Sequence, residues 1–151
     1  MAAMEHLWAL GHRRIGFISD PNVNDDVPDD LRTMGYLQFF AKMGVEAERD
    51  LIMVGDGTIE CGFALGGKIK ERGATAVFCA NDMTAIGVLQ WAHETGISIP
   101  QELSVVGFDD TPMASLAFPP LTTIRLPIKE LIETTVDALV TRMQGNPLPP
   151  Q

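Results

Sequence analysis

Four short runs in this chain carry almost nothing but apolar side chains: residues 15–18 (Ile-Gly-Phe-Ile), 51–54 (Leu-Ile-Met-Val), 76–80 (Ala-Val-Phe-Cys-Ala) and 105–108 (Val-Val-Gly-Phe). A strand with one face in water alternates apolar and polar residues. A run that is apolar at every position must be covered on both faces, which is the condition of a strand inside a parallel sheet. A fifth, weaker run is Leu-Thr-Thr-Ile at 121–124.

Longer periodic segments fill the gaps. The spacing predicts helices over residues 2–10, before Gly11; from Asp29-Asp30, which cap the start, to Gly44; from Thr58 to Gly73; from Asn81 to Gly96; and over 128–143, closed by Gly145-Asn146-Pro147. Gly62, Gly66 and Gly67 make the third a poor intrinsic helix, so packing must hold it. Strands alternating with helices predict an α/β fold with a doubly wound, mainly parallel sheet. Right-handed crossovers then gather the strand C-termini on one edge.

Composition sets the outer bounds. The 151 residues are 46% hydrophobic and 21% charged, enough for a core in one domain. The net charge is −9, which argues against gripping a nucleic-acid backbone with this segment. No apolar run reaches membrane-spanning length. The opening Met1–His6 lacks the parts of a secretory signal, so a cytoplasmic location is expected. Cys61 and Cys79 form no CxxC and are expected as free thiols. His6, His12 and His93 have no metal-ligand spacing, so no metal or other cofactor is expected. Phosphate-binding glycine motifs and the GxSxG elbow are missing from the sequence.

Every strong strand runs into a carboxylate or amide: Asp20, Asp56, Asn81-Asp82 and Asp109-Asp110. Ligands of open α/β sheets bind outside the carboxyl ends of the strands, so these residues should lie in or near one crevice. The same residue types also cap helices and build turns, the competing role for Asp56 and Asp82 above all.

Four segments resemble one family: HLWALGHRRIGFIS at 6–19, VFCANDMTAIGVLQ at 77–90, IPQELSVVGFDDTPMA at 99–114 and PPLTTIRLPIKELIETTVDALV at 119–140. In order and spacing they are similar to the effector-binding domain of LacI (lactose-repressor) family transcription regulators. The resemblance implies a two-lobed, periplasmic-binding-protein-like domain with a small ligand between the lobes. This chain would be a partial domain over 1–151. Residues 14–125 would form the C-terminal lobe. The helices at 2–10 and 128–143 would pack in the other lobe, otherwise absent, and DNA would be read only by a helix-turn-helix outside the chain.

The resemblance also implies roles. Arg32, in RTMGY, matches an arginine that holds the effector; its guanidinium suits hydroxyls or a carboxylate. The alternative for Arg32 is an ion pair with Asp29 or Asp30. Asn81 and Asp109 match an asparagine and an aspartate that contact ligand. Asp20, Asp56 and Ile128 complete the expected effector-binding set. Ile128 and Gly57 stand where relatives carry aromatic side chains. The helix after Asn81 is apolar almost all round, so it must be covered on both sides. The resemblance places Met83, Ile86, Gln90 and Ala117 in a homodimer interface; burial within one subunit is the alternative.

Three functions follow as expectations. The first is the small-molecule-sensing lobe of a dimeric transcription regulator, with no catalytic task. The second is a periplasmic sugar-binding protein. The third is a Mg²⁺-dependent phosphoryl-transfer enzyme using Asp109-Asp110. If the other lobe is missing, the apolar residues of the two flanking helices, Leu7, Trp8 and Leu10 among them, should seek another surface.

Overall fold

The computed structural model describes residues 1–20 and 31–144. The expected Asp29-Asp30 cap, with Arg32's alternative partners, and the Gly145-Asn146-Pro147 stop lie outside the described residues. Five strands are seen: β1 (Ile15–Ser19), β2 (Ile52–Val54), β3 (Ala76–Cys79), β4 (Ser104–Asp109) and β5 (Thr122–Arg125). They are all parallel, in the order β2-β1-β3-β4-β5. That is a doubly wound sheet, and its order reverses between β1 and β3. The helices are α1 (Ala2–Ala9), α2 (Leu31–Lys42), α3 (Ile59–Glu71), α4 (Asp82–Thr95), α5 (Pro112–Leu116) and α6 (Ile128–Met143).

Alternation along the strands sorts the core into two layers. Phe17, Ala76, Phe78 and Val106 face one way and meet Met4, Leu7, Tyr36, Phe39 and Phe40 of α1 and α2. Ile18, Val77, Cys79 and Val105 face the other way, against Ile69, Ala85, Val88 and Leu89 of α3 and α4. The first layer is aromatic: Phe17 stacks on Tyr36 at 5.2 Å and on Phe78 at 5.3 Å between centroids. The Tyr36 hydroxyl donates to the Ile15 carbonyl at 2.7 Å, and burial pushes its pKa up. Burial does the same to the Cys79 thiol. The edge strand β2 departs from the expectation of two covered faces, since Val54 is exposed.

The glycines of α3 find their explanation in α4. A Cβ on Gly62 would stand 2.0 Å from the Thr84 carbonyl oxygen, and one on Gly87 would stand 2.0 Å from that of Ile59. The two backbones touch, and only residues without side chains permit it. Beside this seam the Trp91 ring lies across Gly66 and Gly67. Helix propensity is given up and tight helix–helix packing is gained.

One expectation needs correction. Helix α1 was expected to be left without its packing surface, in common with α6. Instead Ala3, Met4 and Leu7 are buried in the aromatic layer on this same sheet. Trp8 packs edge-on against Phe39 at 5.6 Å, and Arg13 lies 3.9 Å over the Trp8 ring. Leu10, just past the helix, stays exposed. The cause is geometric: Ala3, Met4 and Leu7 form one stripe, and the sheet face beside α2 is open to receive it. In α6, by contrast, no residue is buried.

The N-terminal ends of the strands are laced together. His12 bridges Thr75 Oγ1 at 2.9 Å and Ser104 Oγ at 3.0 Å, one ring nitrogen donating and the other accepting. Arg14 pairs with Glu48 at 2.5 Å and donates to the carbonyls of Arg72 and Gly73.

Candidate functional site

The C-terminal ends of the strands carry the polar cluster. In sheets of this order the crevice opens where neighbouring crossovers run to opposite faces, here between β1 and β3. Asp20 follows β1 and Asn81 follows β3, so the two flank that opening. The Asn81 amide donates to Asp20 Oδ1 at 2.7 Å. Arg32, in the first turn of α2, donates to Asp20 Oδ2 at 3.0 Å and to the Ala80 carbonyl. Its guanidinium lies 5.2 Å from the centre of the Phe108 ring. Asp109 ends β4; burial raises its pKa, Arg32 opposes that rise, and Asp82 and Asp20 add to it. Four of the expected residues, Asp20, Arg32, Asn81 and Asp109, therefore form one electrostatically connected group.

Backbone geometry sets the group apart from ordinary strand ends. Asp109 and Asp110 have φ of 115° and 58°, a region that L side chains rarely adopt. Strain of this kind is held in place by the surrounding structure and clusters at binding sites. Gly57, at φ 82°, comes so close that a Cβ there would stand 3.2 Å from Asn81 Nδ2. No aromatic side chain stands at that point.

Several expected residues have local roles. The Asp56 carboxylate accepts from the backbone and hydroxyl of Thr58, at 3.0 and 2.6 Å; these bonds hold its pKa below the usual range. Thr58 in turn caps α3. Asp56 thus builds the turn that leads into α3. Asp82 is fully buried and accepts from the Thr111 backbone at 2.7 Å and the Thr123 hydroxyl at 2.5 Å. It ties the tips of β4 and β5 together, a function that sequence reasoning missed. Asn81 combines both roles, because its Oδ1 caps α4 through Thr84 N at 2.8 Å. Asp110 is paired with Arg125, so the Asp109-Asp110 carboxylates are divided between different partners. Among the described residues no His, Cys, Asp and Glu group is arranged to hold a metal ion. Ile128 opens α6, just beyond Arg125, which is in register with Asp109, and it is half exposed.

On α4, Asp82, Ala85, Val88, Leu89 and Ala92 are buried, whereas Met83 and Ile86 are only partly covered and Gln90 is exposed. Ala117 is partly covered, beside the exposed Met113, Leu116 and Phe118. Complete burial of α4 within one subunit is therefore not what the structure shows.

The sequence profile of the periplasmic binding protein-like domain matches residues 4–151. The chain belongs to this family, in its LacI-type branch. The regulator MalR of Streptomyces coelicolor is 36% identical over 151 residues, covering 97% of this chain and 43% of MalR. The repressor CytR of Escherichia coli K12 is 34% identical over 146 residues, covering 95% of this chain and 42% of CytR. Among solved structures, the Lac repressor bound to ONPG in its repressed state superposes with a TM-score of 0.84 at 32% identity, covering 95% of this chain and 43% of the repressor. The E. coli repressor AscG gives 0.86 at 29% identity, covering 99% and 54%. The LacI-type chain thus spans less than half the length of these curated relatives. No helix among its described residues is long and apolar enough to cross a membrane.

Proposed function

We propose that this chain is the effector-sensing lobe of a cytoplasmic LacI-type transcription regulator. Its cleft takes a sugar or a related hydroxyl-bearing metabolite. The observation that carries this reading is the meeting of Asp20, Arg32, Asn81 and Asp109 at the strand tips. An amide both donates and accepts, and carboxylates accept from hydroxyls, so the set suits neighbouring hydroxyl groups. The Lac repressor and CelR were solved with ONPG and cellobiose respectively, which supports a carbohydrate-like ligand. The transport reading is not favoured, because the curated relatives are helix-turn-helix regulators.

In this reading, α1 joins residues 14–125 in the C-terminal lobe, and α6 leaves it to pack in the second lobe. Ligand between the lobes stabilises one arrangement over another. That difference in affinity biases the spacing of DNA-binding heads outside this chain. Met83, Ile86, Gln90 and Ala117, with the exposed Leu116 and Phe118, form the homodimer surface.

Calorimetric titration of the chain with cellobiose and a panel of mono- and disaccharides tests the site. One sugar should bind weakly, since one lobe supplies only half the contacts, and Asp109→Asn should weaken that binding about tenfold or more. Sugar binding that ignores substitution at both Asn81 and Asp109 overturns the assignment. Ile86→Glu should shift a dimer to monomer in light scattering.

A further inference from the structure

The Asp20 carboxylate occupies donors of both groups that the site would otherwise offer to a ligand. Its Oδ1 takes the Asn81 amide and its Oδ2 takes Arg32. The Ala80 carbonyl accepts from the same Arg32 nitrogen. Arg32 is therefore neutralised and held from within the protein. Asp109 lies close enough to feel both Arg32 and Asp20. The next cation along this edge, Arg125, is paired with Asp110. Among the described residues, one guanidinium is thus set against two carboxylates, and the balance of this cluster is negative. The side chains of Asp20 and Arg32 remain 23% and 31% exposed, so a ligand entering the cleft meets them.

We propose that Asp20 is the specificity-determining residue of this site: by holding Arg32 and Asn81 it excludes anionic effectors and reserves the cleft for uncharged or cationic hydroxyl-bearing molecules. The inference rests on the effector-site reading above and sharpens it. A phosphate or carboxylate group reaching Arg32 has to displace Asp20 and also stands against Asp109. Like charges brought together in a partly dry site are strongly disfavoured. A hydroxyl meets no such barrier, because it donates to Asp20 or Asp109 without moving either. An ammonium gains from both.

The test compares the wild-type chain with Asp20→Asn and Asp20→Ser, using inorganic phosphate and glucose 6-phosphate as probes. Binding is followed by NMR at the Asn81 side-chain amide and Arg32 Nε, and thermal melts select variants that remain folded. Wild type should show no shift at millimolar probe. Removing the charge should create anion binding at these signals, with affinity raised about tenfold or more. A merely structural role for Asp20 would weaken binding of every ligand and create none. Glucose 6-phosphate binding to wild type as tightly as to the variants overturns the proposal, yet leaves the effector site standing, since a ligand has bound there. Folded variants that gain no anion binding also overturn it. The effector site itself is judged separately, by the neutral-sugar titration.

Discussion

The two ends of this parallel sheet are both lined with polar side chains, and they are built to opposite purposes. At the N-terminal end, His12, Thr75, Ser104 and Arg14 answer one another or nearby carbonyls. They lace loops to strands. At the C-terminal end, Asp20 holds Arg32 and Asn81, Asp109 lies within their electrostatic reach, and the backbone of Asp109 and Asp110 is strained. Polar side chains at strand ends do not by themselves mark a binding site. A surplus of negative charge among the described residues and a costly backbone distinguish the second end from the first.

The sharpest challenge to this contrast is Asp82, a tip residue with the character of the opposite end. Asp82→Ala leaves the Thr111 amide and Thr123 hydroxyl without their buried acceptor, and should cost about 3 kcal/mol in urea unfolding. A loss near zero would place Asp82 with the ligand-facing group. His12→Ala comes next. It removes two side-chain bonds and should cost about 1–2 kcal/mol, with sugar affinity unchanged. Asp109→Asn should show the reverse, holding stability within about 0.5 kcal/mol while weakening sugar binding about tenfold or more. If these two variants affected the same measurement, the division of labour would be wrong.

The smallest effect concerns pH. Burial, and then the nearby His6, lower the His12 pKa below its ordinary value of 6.5. The folded state therefore resists protonation more than the unfolded chain does. The stabilisation from neutral His12 is whole above pH 6.5 and declines as pH falls below it, so stability rises with pH in that window. Comparing the pH dependence of unfolding in wild type and His12→Ala isolates this slope, which the variant should lack.

Much of the fold was legible because burial on both faces is written as solid apolar runs, and because Gly11, Gly44, Gly73 and Gly96 mark where helices stop. All four adopt the positive φ that helix termination favours. Helix α5 escaped notice: five residues behind Pro112 are too few to show a period. The fate of α1 was misjudged for another reason. Its stripe showed that it must be covered, but periodicity does not say by what, and the family pattern pointed to the other lobe. In the site, Asn81 and Asp109 could be matched through their motifs. The part played by Asp20 became visible only with the strand order, which sets it beside a residue 61 positions away. The His12 bridge, reaching 63 and 92 positions along the chain, was hidden in the same way.

The backbone seam between α3 and α4 has a mechanical corollary. Thr58 and Asn81 cap these two helices at the same edge of the sheet, and each helix is locked to its neighbour where Gly62 and Gly87 let the main chains meet. Two helices joined main chain to main chain have no slack between them, so α3 and α4 must travel as one rigid plate. Rearrangement of this layer is then confined to the loops that hang the plate from the sheet, and Thr58 and Asn81 are the hinges' nearest fixed points.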